Sequence, residues 1–446
     1  MSKIDEGGRQ KKRASRLSEG ISVRKLDYEL TYPGKKPAQA ILSGPRSSPV
    51  KRLTVTVADS PLPRNRLYAG DNLGILRVLC DDKAVCGQVR LVYIDPPFAT
   101  GASFESRDAE AAYHDGVLGA AFIESLRERL IVIRELLAAD GSIYVHLDDK
   151  MAFQVKVIMD EVFGPGNFRN LIVRKKSNRK NSTTRQYGNI CDYILFYTKS
   201  NQYVFNRCYE EWTEEWLRRE YPCIEEGTGR RYKKVPVHAP GLRNGETGKM
   251  WKGKMPPPGK HWQFQPSVLD EMDARGEIYW SPTQNPRRKL YFESSKGVAV
   301  QDIWTEFRDA HNQMIDVTGY PTEKNLDLLK RIVLASSNEG DLVMDCFSGS
   351  GTTLVAAEEL GRRWIGVDAS VTAIETTLKR LANGSEPMGD FVRGKKKKEP
   401  DLFSQAGLLK AGFDLYTAEG ITPLPPADSI IGRWAKLFKC STATPR

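Results

Sequence analysis

Apolar positions along the chain change period from segment to segment. Leu91-Val92-Tyr93-Ile94 is a short unbroken apolar run, which predicts a strand covered on both faces. Phe122, Leu126, Leu130, Ile133 and Leu137 then recur at helical spacing and predict a helix with one apolar face. Asp140-Gly141 marks a turn, and Ser142-Ile143-Tyr144-Val145-His146-Leu147 predicts the next strand. Strand, helix, strand in that order needs a crossover and implies a parallel sheet.

The same alternation returns late in the chain. Asn325, Leu328, Leu329, Ile332 and Val333 predict a helix, and Asp341 to Asp345 a strand. A glycine-rich turn, a helix from about Thr352 to Leu360 and a strand Trp364-Ile365-Gly366-Val367 follow. Ile190 to Lys199 predicts a further sheet strand. From 169 to about 300 the periodicity weakens, while proline, glycine and tryptophan become frequent. Trp212 and Trp216, four apart, predict the packing face of a helix.

The chain divides accordingly. Residues 1–57 form a basic, loosely ordered arm, with 13 Lys and Arg against 5 Asp and Glu. That composition suits either contact with a nucleic-acid backbone or a solvated linker. Residues 58–200 and 301–384 are two halves of one α/β domain, 201–300 an insertion, and 385–446 a basic C-terminal appendage with the run Lys395-Lys396-Lys397-Lys398.

Composition narrows the classes. With 446 residues, 40% of them hydrophobic, the chain has material for a large core. A formal charge of +11 points to an anionic partner without choosing one. No apolar run approaches the roughly 18 residues of a membrane span, and the charged N-terminus does not read as a secretion signal. The seven cysteines are scattered and never spaced as CxxC, which fits reduced thiols in a cytoplasmic protein and no metal site.

Two segments carry chemistry. Asp345-Cys346-Phe347-Ser348-Gly349-Ser350-Gly351-Thr352-Thr353 sits where a strand ends and a helix begins, and Asp368 ends the next strand. Glycines there let a ligand approach the backbone, and an acidic side chain at Asp368 can accept hydrogen bonds from both hydroxyls of a ribose. Leu354 stands where a dinucleotide fingerprint needs its third glycine, and the Gly-Lys-Ser/Thr ending of a P-loop is absent. A nucleoside cofactor lacking a pyrophosphate fits best. Taken singly, the turn also suits a structural strand-helix junction and Asp368 a helix cap.

Asp95-Pro96-Pro97-Phe98 directly follows the strand ending at Ile94. Its prolines fix φ and remove two backbone donors. A rigid turn of this kind aims the Asp95 carboxylate and the Pro96 carbonyl, both acceptors, at one point. Their natural partner is a group with two N–H bonds, such as the exocyclic amine of adenine or cytosine. Phe98 offers a face on which a base stacks. Alone, the same tetrapeptide also suits a surface turn.

Together these motifs resemble the DNA amino-methyltransferases of the class in which the catalytic motif precedes the cofactor motif. Asp95-Pro96-Pro97-Phe98 is similar to the catalytic tetrapeptide in its Asp form, and Asp345-x-Phe347-x-Gly349-x-Gly351 to the cofactor loop. Tyr320 to Asn325 resembles the segment that closes over the cofactor's methionine, with Glu323 and Asn325 as departures from Pro-Thr-Gln-Lys-Pro. Gly70-Asp71-Asn72 and Asp302-Ile303-Trp304 fit two further family segments.

The resemblance implies an S-adenosylmethionine-dependent, Rossmann-like α/β sheet with a circularly permuted motif order and an inserted target-recognition region. It implies catalytic Asp95, Pro96, Pro97 and Phe98. It implies cofactor contacts from Asp71, Asn72, Lys324, Asp345, Phe347, Gly349, Gly351, Thr352 and Asp368. The wording around Asp95 looks most like type III modification subunits and their solitary relatives. Double-stranded DNA is the implied partner; a homodimer and a restriction subunit stay open.

The Asp form favours adenine N6 over cytosine N4. An RNA or protein amino-methyltransferase and a non-catalytic DNA-binding subunit are the rivals. The basic stretches 169–199 and 227–262, the second interleaved with Tyr232, Trp251 and Trp262, suit phosphate contacts or a solvated face. Tyr187 and Asn189 are candidates for the base pocket or for packing.

Overall fold

A computed structural model describes residues 28–56, 64–97, 103–105, 111–114, 119–177, 185–309, 323–383, 409 and 411–418. They fall into two compact units, one running to Asn206 and resuming at Gln301, the other Arg207–Val300.

The first unit is built on a ten-stranded sheet. Its strands in chain order are β1 (Val50–Val55), β2 (Asn65–Ala69), β3 (Val89–Ile94), β4 (Leu137–Leu147), β5 (Phe168–Lys175), β6 (Cys191–Thr198), β7 (Ile303–Trp304), β8 (Leu342–Asp345), β9 (Arg363–Asp368) and β10 (Phe413–Thr417). Across the sheet they stand β1-β10-β2-β9-β8-β3-β4-β6-β5-β7. The strands from β10 to β4 run parallel, as the crossovers require; β6 and β1 run against their neighbours. The late motifs therefore lie in the middle of the sheet beside the early ones, which is the permuted order the resemblance implies.

Helices cover both faces. On one side α1 (Ala38–Leu42), α2 (Asn72–Leu79), α3 (Ala120–Leu136) and α4 (Ala152–Phe163) bury Ile75, Leu130, Ile133 and Ile158 against Val92, Ile94, Val145, Met344 and Val367. On the other lie α5 (Leu326–Ser336), α6 (Thr352–Glu359) and α7 (Val371–Asn383). Tyr144 of β4 reaches Ser336 of α5 at 2.8 Å. Gly366 of β9 is glycine because a Cβ there would collide with Leu354 of α6 and meet Leu67 of β2.

Three expectations change. Asp140-Gly141 makes no turn between elements: α3 ends at Leu136 and β4 begins at once. The pairing jumps from Val89↔Leu137 to Leu91↔Ser142, so the pair is absorbed as a bulge inside the strand. The N-terminal arm is ordered in its second part, with α1 and β1 inside it. The C-terminal appendage supplies β10, inserted between β1 and β2. Leu53, Val55, Phe413 and Leu415 are the buried positions that hold these two strands in place. Residues 1–27 and most of 384–446 lie outside the described residues.

The second unit is antiparallel throughout. Four strands, Cys223–Ile224, Arg231–Pro236, Pro286–Tyr291 and Ile278–Trp280, pair in that order. His238–Pro240 pairs with Lys260–Trp262, and helix Pro266–Ala274 covers a core of Val237, Trp251, Trp262, Leu269, Met272 and Ile278. Two of the aromatics expected among the surface charges, Trp251 and Trp262, are thus core residues, each 2% exposed. Trp212 precedes helix Glu214–Glu220, whose cap is Thr213, and Trp216 is 43% exposed, so the two do not form a buried helix face.

Candidate active site

Strands β3 and β8 are hydrogen-bonded neighbours and point the same way, so both C-terminal ends open at one edge. There the Asp95 turn and the glycine loop wall a single cavity of about 260 Å³. Asp71, Asn72, Asp95, Pro96, Pro97, Lys324, Asp345, Phe347, Gly349, Thr352 and Asp368 all line it. Gly351 stands behind the wall, and Phe98 lies outside the described residues, as do Tyr320, Pro321 and Thr322. Tyr187 is fully exposed and Asn189 donates to Asp149 at 2.6 Å; neither lines the cavity.

At the acceptor end, Asp95 Oδ2 is ion-paired with Lys324 Nζ at 2.8 Å. Its Oδ1 is buried and has no hydrogen-bond partner among the described residues. A buried carboxylate oxygen left open costs free energy unless a donor arrives. Lys324, assigned to the cofactor by resemblance, therefore bears directly on the acceptor.

The glycine loop is folded by its own carboxylates. Asp345 accepts Phe347 N–H at 3.0 Å and the Thr353 hydroxyl at 2.6 Å. Asp368 accepts Gly349 N–H at 2.8 Å and Ser370 N–H at 2.8 Å, so it both caps the next segment and closes the loop. Gly351 has φ +75°, and a Cβ there would stand 2.7 Å from Thr377 Oγ1, so no other residue makes this turn unstrained. Burial raises the Asp368 carboxyl above the usual range. Burial, with the charges of Asp95 and Asp368, pushes Asp345 up to about 7.

Asp71 caps α2 through Gly74 N–H at 3.1 Å and meets Arg129 at 3.3 Å. Asn72 donates to the Cys346 carbonyl at 2.7 Å and accepts from Arg129 at 2.5 Å. Both shape the cavity wall with groups that are already engaged.

The two departures from the closing segment have local partners. Asn325 caps α5, accepting from Asp327 N–H at 2.8 Å and Leu328 N–H at 3.3 Å. Glu323 is buried and paired with Arg380 of α7 at 3.0 Å, and Arg380 also donates to Thr352 at 2.8 Å.

Sequence reasoning missed a buried polar chain beneath the acceptor. Tyr93 Oη lies 2.8 Å from His146 Nδ1, His146 Nε2 is 2.9 Å from Asp192, and Asp192 is 3.1 Å from Arg174. Arg174 continues to Asp309 at 2.7 Å. Burial opposes the charge on Asp192, but His146, Arg174 and Lys324 outweigh it and hold the carboxyl well below its usual range. The available signal was partial: Tyr93, His146 and Asp192 are polar residues within predicted strands, whereas Arg174 lies where no strand is predicted.

These features fit a nucleoside with a cationic group. Asp95, Asp345 and Asp368 surround the cavity, glycine backbone is accessible, and the buried Ser348 hydroxyl has no partner among the described residues. Comparison with known proteins agrees. The family model for DNA methylases, the N6 and N4 amino-methyltransferases, matches residues 89–379. The type II methyltransferase M.EcaI of Enterobacter cloacae is 46% identical over 375 residues, 84% of this chain and 82% of that one. The type III StyLTI Mod subunit of Salmonella typhimurium is 26% identical over 78% of this chain, which spans 59% of that longer protein. The solved M1.HpyAVI complex with S-adenosylmethionine aligns at TM-score 0.38 and 17% identity over 71% of this chain and 98% of that one. With the permuted sheet, the shared cavity and a family match across both motifs, the chain belongs to the beta class of S-adenosylmethionine-dependent DNA amino-methyltransferases.

Proposed function

We propose that the chain methylates the exocyclic N6 amine of an adenine flipped out of double-stranded DNA. The open Oδ1 of Asp95 carries this reading. An amine with two N–H bonds fills it and the Pro96 carbonyl together. Bound S-adenosylmethionine supplies an electrophilic methyl group. The protein's part is to hold the amine nitrogen so that its lone pair, otherwise delocalised into the ring, faces that methyl. Lys324 fixes the Asp95 carboxylate at 2.8 Å, so it meets the positive charge that develops on nitrogen without reorganising. The methylated nitrogen is acidic enough to release its proton afterwards. Adenine is favoured over cytosine by the Asp form of the tetrapeptide.

Residues 201–300 are proposed to read the target, with 58–200 and 301–384 as the catalytic and cofactor halves. The basic 227–262 stretch suits phosphate contacts, which favours a polymeric anion over a protein substrate. Mass spectrometry of nucleosides from unmethylated genomic DNA, treated with enzyme and S-adenosylmethionine, should show N6-methyladenine. N4-methylcytosine instead would overturn the choice of base. Asp95→Ala should cut transfer by about a hundredfold or more while DNA binding persists; transfer at the normal rate would remove Asp95 from the acceptor role.

A further inference from the structure

Between the paired strands His238–Pro240 and Lys260–Trp262, the second unit closes a lobe whose ends are joined by Gly241 N–H to the Gly259 carbonyl at 2.9 Å. A lobe with joined ends and internal packing is a built surface feature, of the kind often used for binding. At its centre is a tight hairpin. Trp251 and Lys254 exchange both backbone hydrogen bonds at 2.9 Å, and the two residues between them, Lys252 and Gly253, have φ +45° and +77°. That is the primed turn that suits a twisted two-stranded ribbon.

The side chains around the turn differ in what they meet. Trp251 points into the core, where it stacks on Trp280 at 5.2 Å and donates to Asp270 at 2.9 Å. Met250 and Met255 flank the bridged pair, one on each side of the turn. Both methionines are 58% exposed. Trp262 holds the approach to Met250 through the Lys249 carbonyl at 2.9 Å, and Lys252 is ion-paired with Asp273 on the covering helix. Two large apolar side chains are thus displayed in water on a hairpin pinned at several points. Pinning lowers the entropy cost of ordering the backbone that carries them.

Charge selects the occupant. Of the four cations from Gly241 to Gly259, Lys249 is paired with Glu246 and Lys252 with Asp273, so the excess positive charge comes from Arg243 and Lys254. A cationic surround with a protruding apolar pair fits a polyanion that carries apolar surfaces between its charges, as stacked bases lie between phosphate rows. Methionine is among the side chains that enter base steps as wedges, and its flexible thioether adapts to an irregular gap. We infer that Met250 and Met255 form a wedge that enters the base stack of duplex DNA. The inference rests on DNA being the substrate and adds the segment that deforms it.

The test uses the full chain with Met250→Ser and Met255→Ser combined, both surface changes. Methyl transfer to unmethylated genomic duplex DNA and filter binding to the same DNA across a salt series are measured together. We expect transfer and affinity to fall by about tenfold or more, with the salt slope unchanged because no phosphate contact is lost. Lys254→Ala should behave in the opposite way and reduce the slope. Wild-type transfer and affinity in the double variant would overturn the wedge and leave the pair to a protein partner or to plain exposure. If the wild type binds DNA without methylating it, the proposed reaction fails, and the affinity comparison still decides the wedge.

Discussion

Asp345 has 2% of its surface exposed, lining a cavity with Asp95 and Asp368 nearby. Burial and those two charges lift its carboxyl from 3.8 to about 7. An acid whose pKa is raised by folding takes up protons between the two values, so its contribution to stability falls as pH rises across that window. Asp345→Asn removes this titration. The melting temperature of the variant minus that of the wild type should therefore increase from about pH 4 to pH 7. An Asn here keeps one oxygen for the Phe347 N–H and can turn its NH2 to the Thr353 hydroxyl oxygen, and any cost of that exchange is constant with pH and does not affect the slope. A flat difference across the window would mean that Asp345 titrates as an ordinary carboxylate. A cation brought into the cavity relieves the same repulsion, which ties the acid's charge to the ligand it faces.

At the scale of elements, the cap of α5 shows how a departure in sequence becomes intelligible. Asn325 stands where the resemblance expects proline, and it satisfies two N–H groups at the start of the helix. Asn325→Ala should cost about 1 kcal/mol of stability in denaturant titrations. Gly366→Ala forces a methyl group between α6 and β9 and should cost about 1–3 kcal/mol in the same measurement. The helix α5 and strands β3, β8 and β9 were legible from sequence because each carries its own apolar period and lies next to a motif. The chain from Tyr93 through His146 and Asp192 to Arg174 was not. It crosses four strands, and no local pattern links them. Glu323 likewise explains itself only through Arg380, which folding brings from α7. Trp251 was misread as a surface aromatic because charged neighbours on a hairpin say nothing about which face is buried.

For the whole molecule, the sheet depends on its two ends. β10 pairs with β1 on one side and β2 on the other, and Lys51 and Asp414 meet at 2.9 Å across that seam. Ending the chain before Phe413 would strip β2 of its neighbour and leave an apolar strand edge open, which invites edge-to-edge association. We expect such a truncation to lower the melting temperature and shift the protein to the insoluble fraction, while substitutions in the exposed hairpin of the second unit leave both unchanged.

That seam also sets a clock for the nascent chain. Lys51 waits for a partner 363 residues downstream. A ribosome adding about 5–20 residues per second takes tens of seconds to deliver it. During that interval the Asp95 motif and then the glycine loop are made, yet the first strand has no neighbour to pair with. Closure of the sheet therefore waits on the late-made β10, and until then β1 is an unpaired edge open to association.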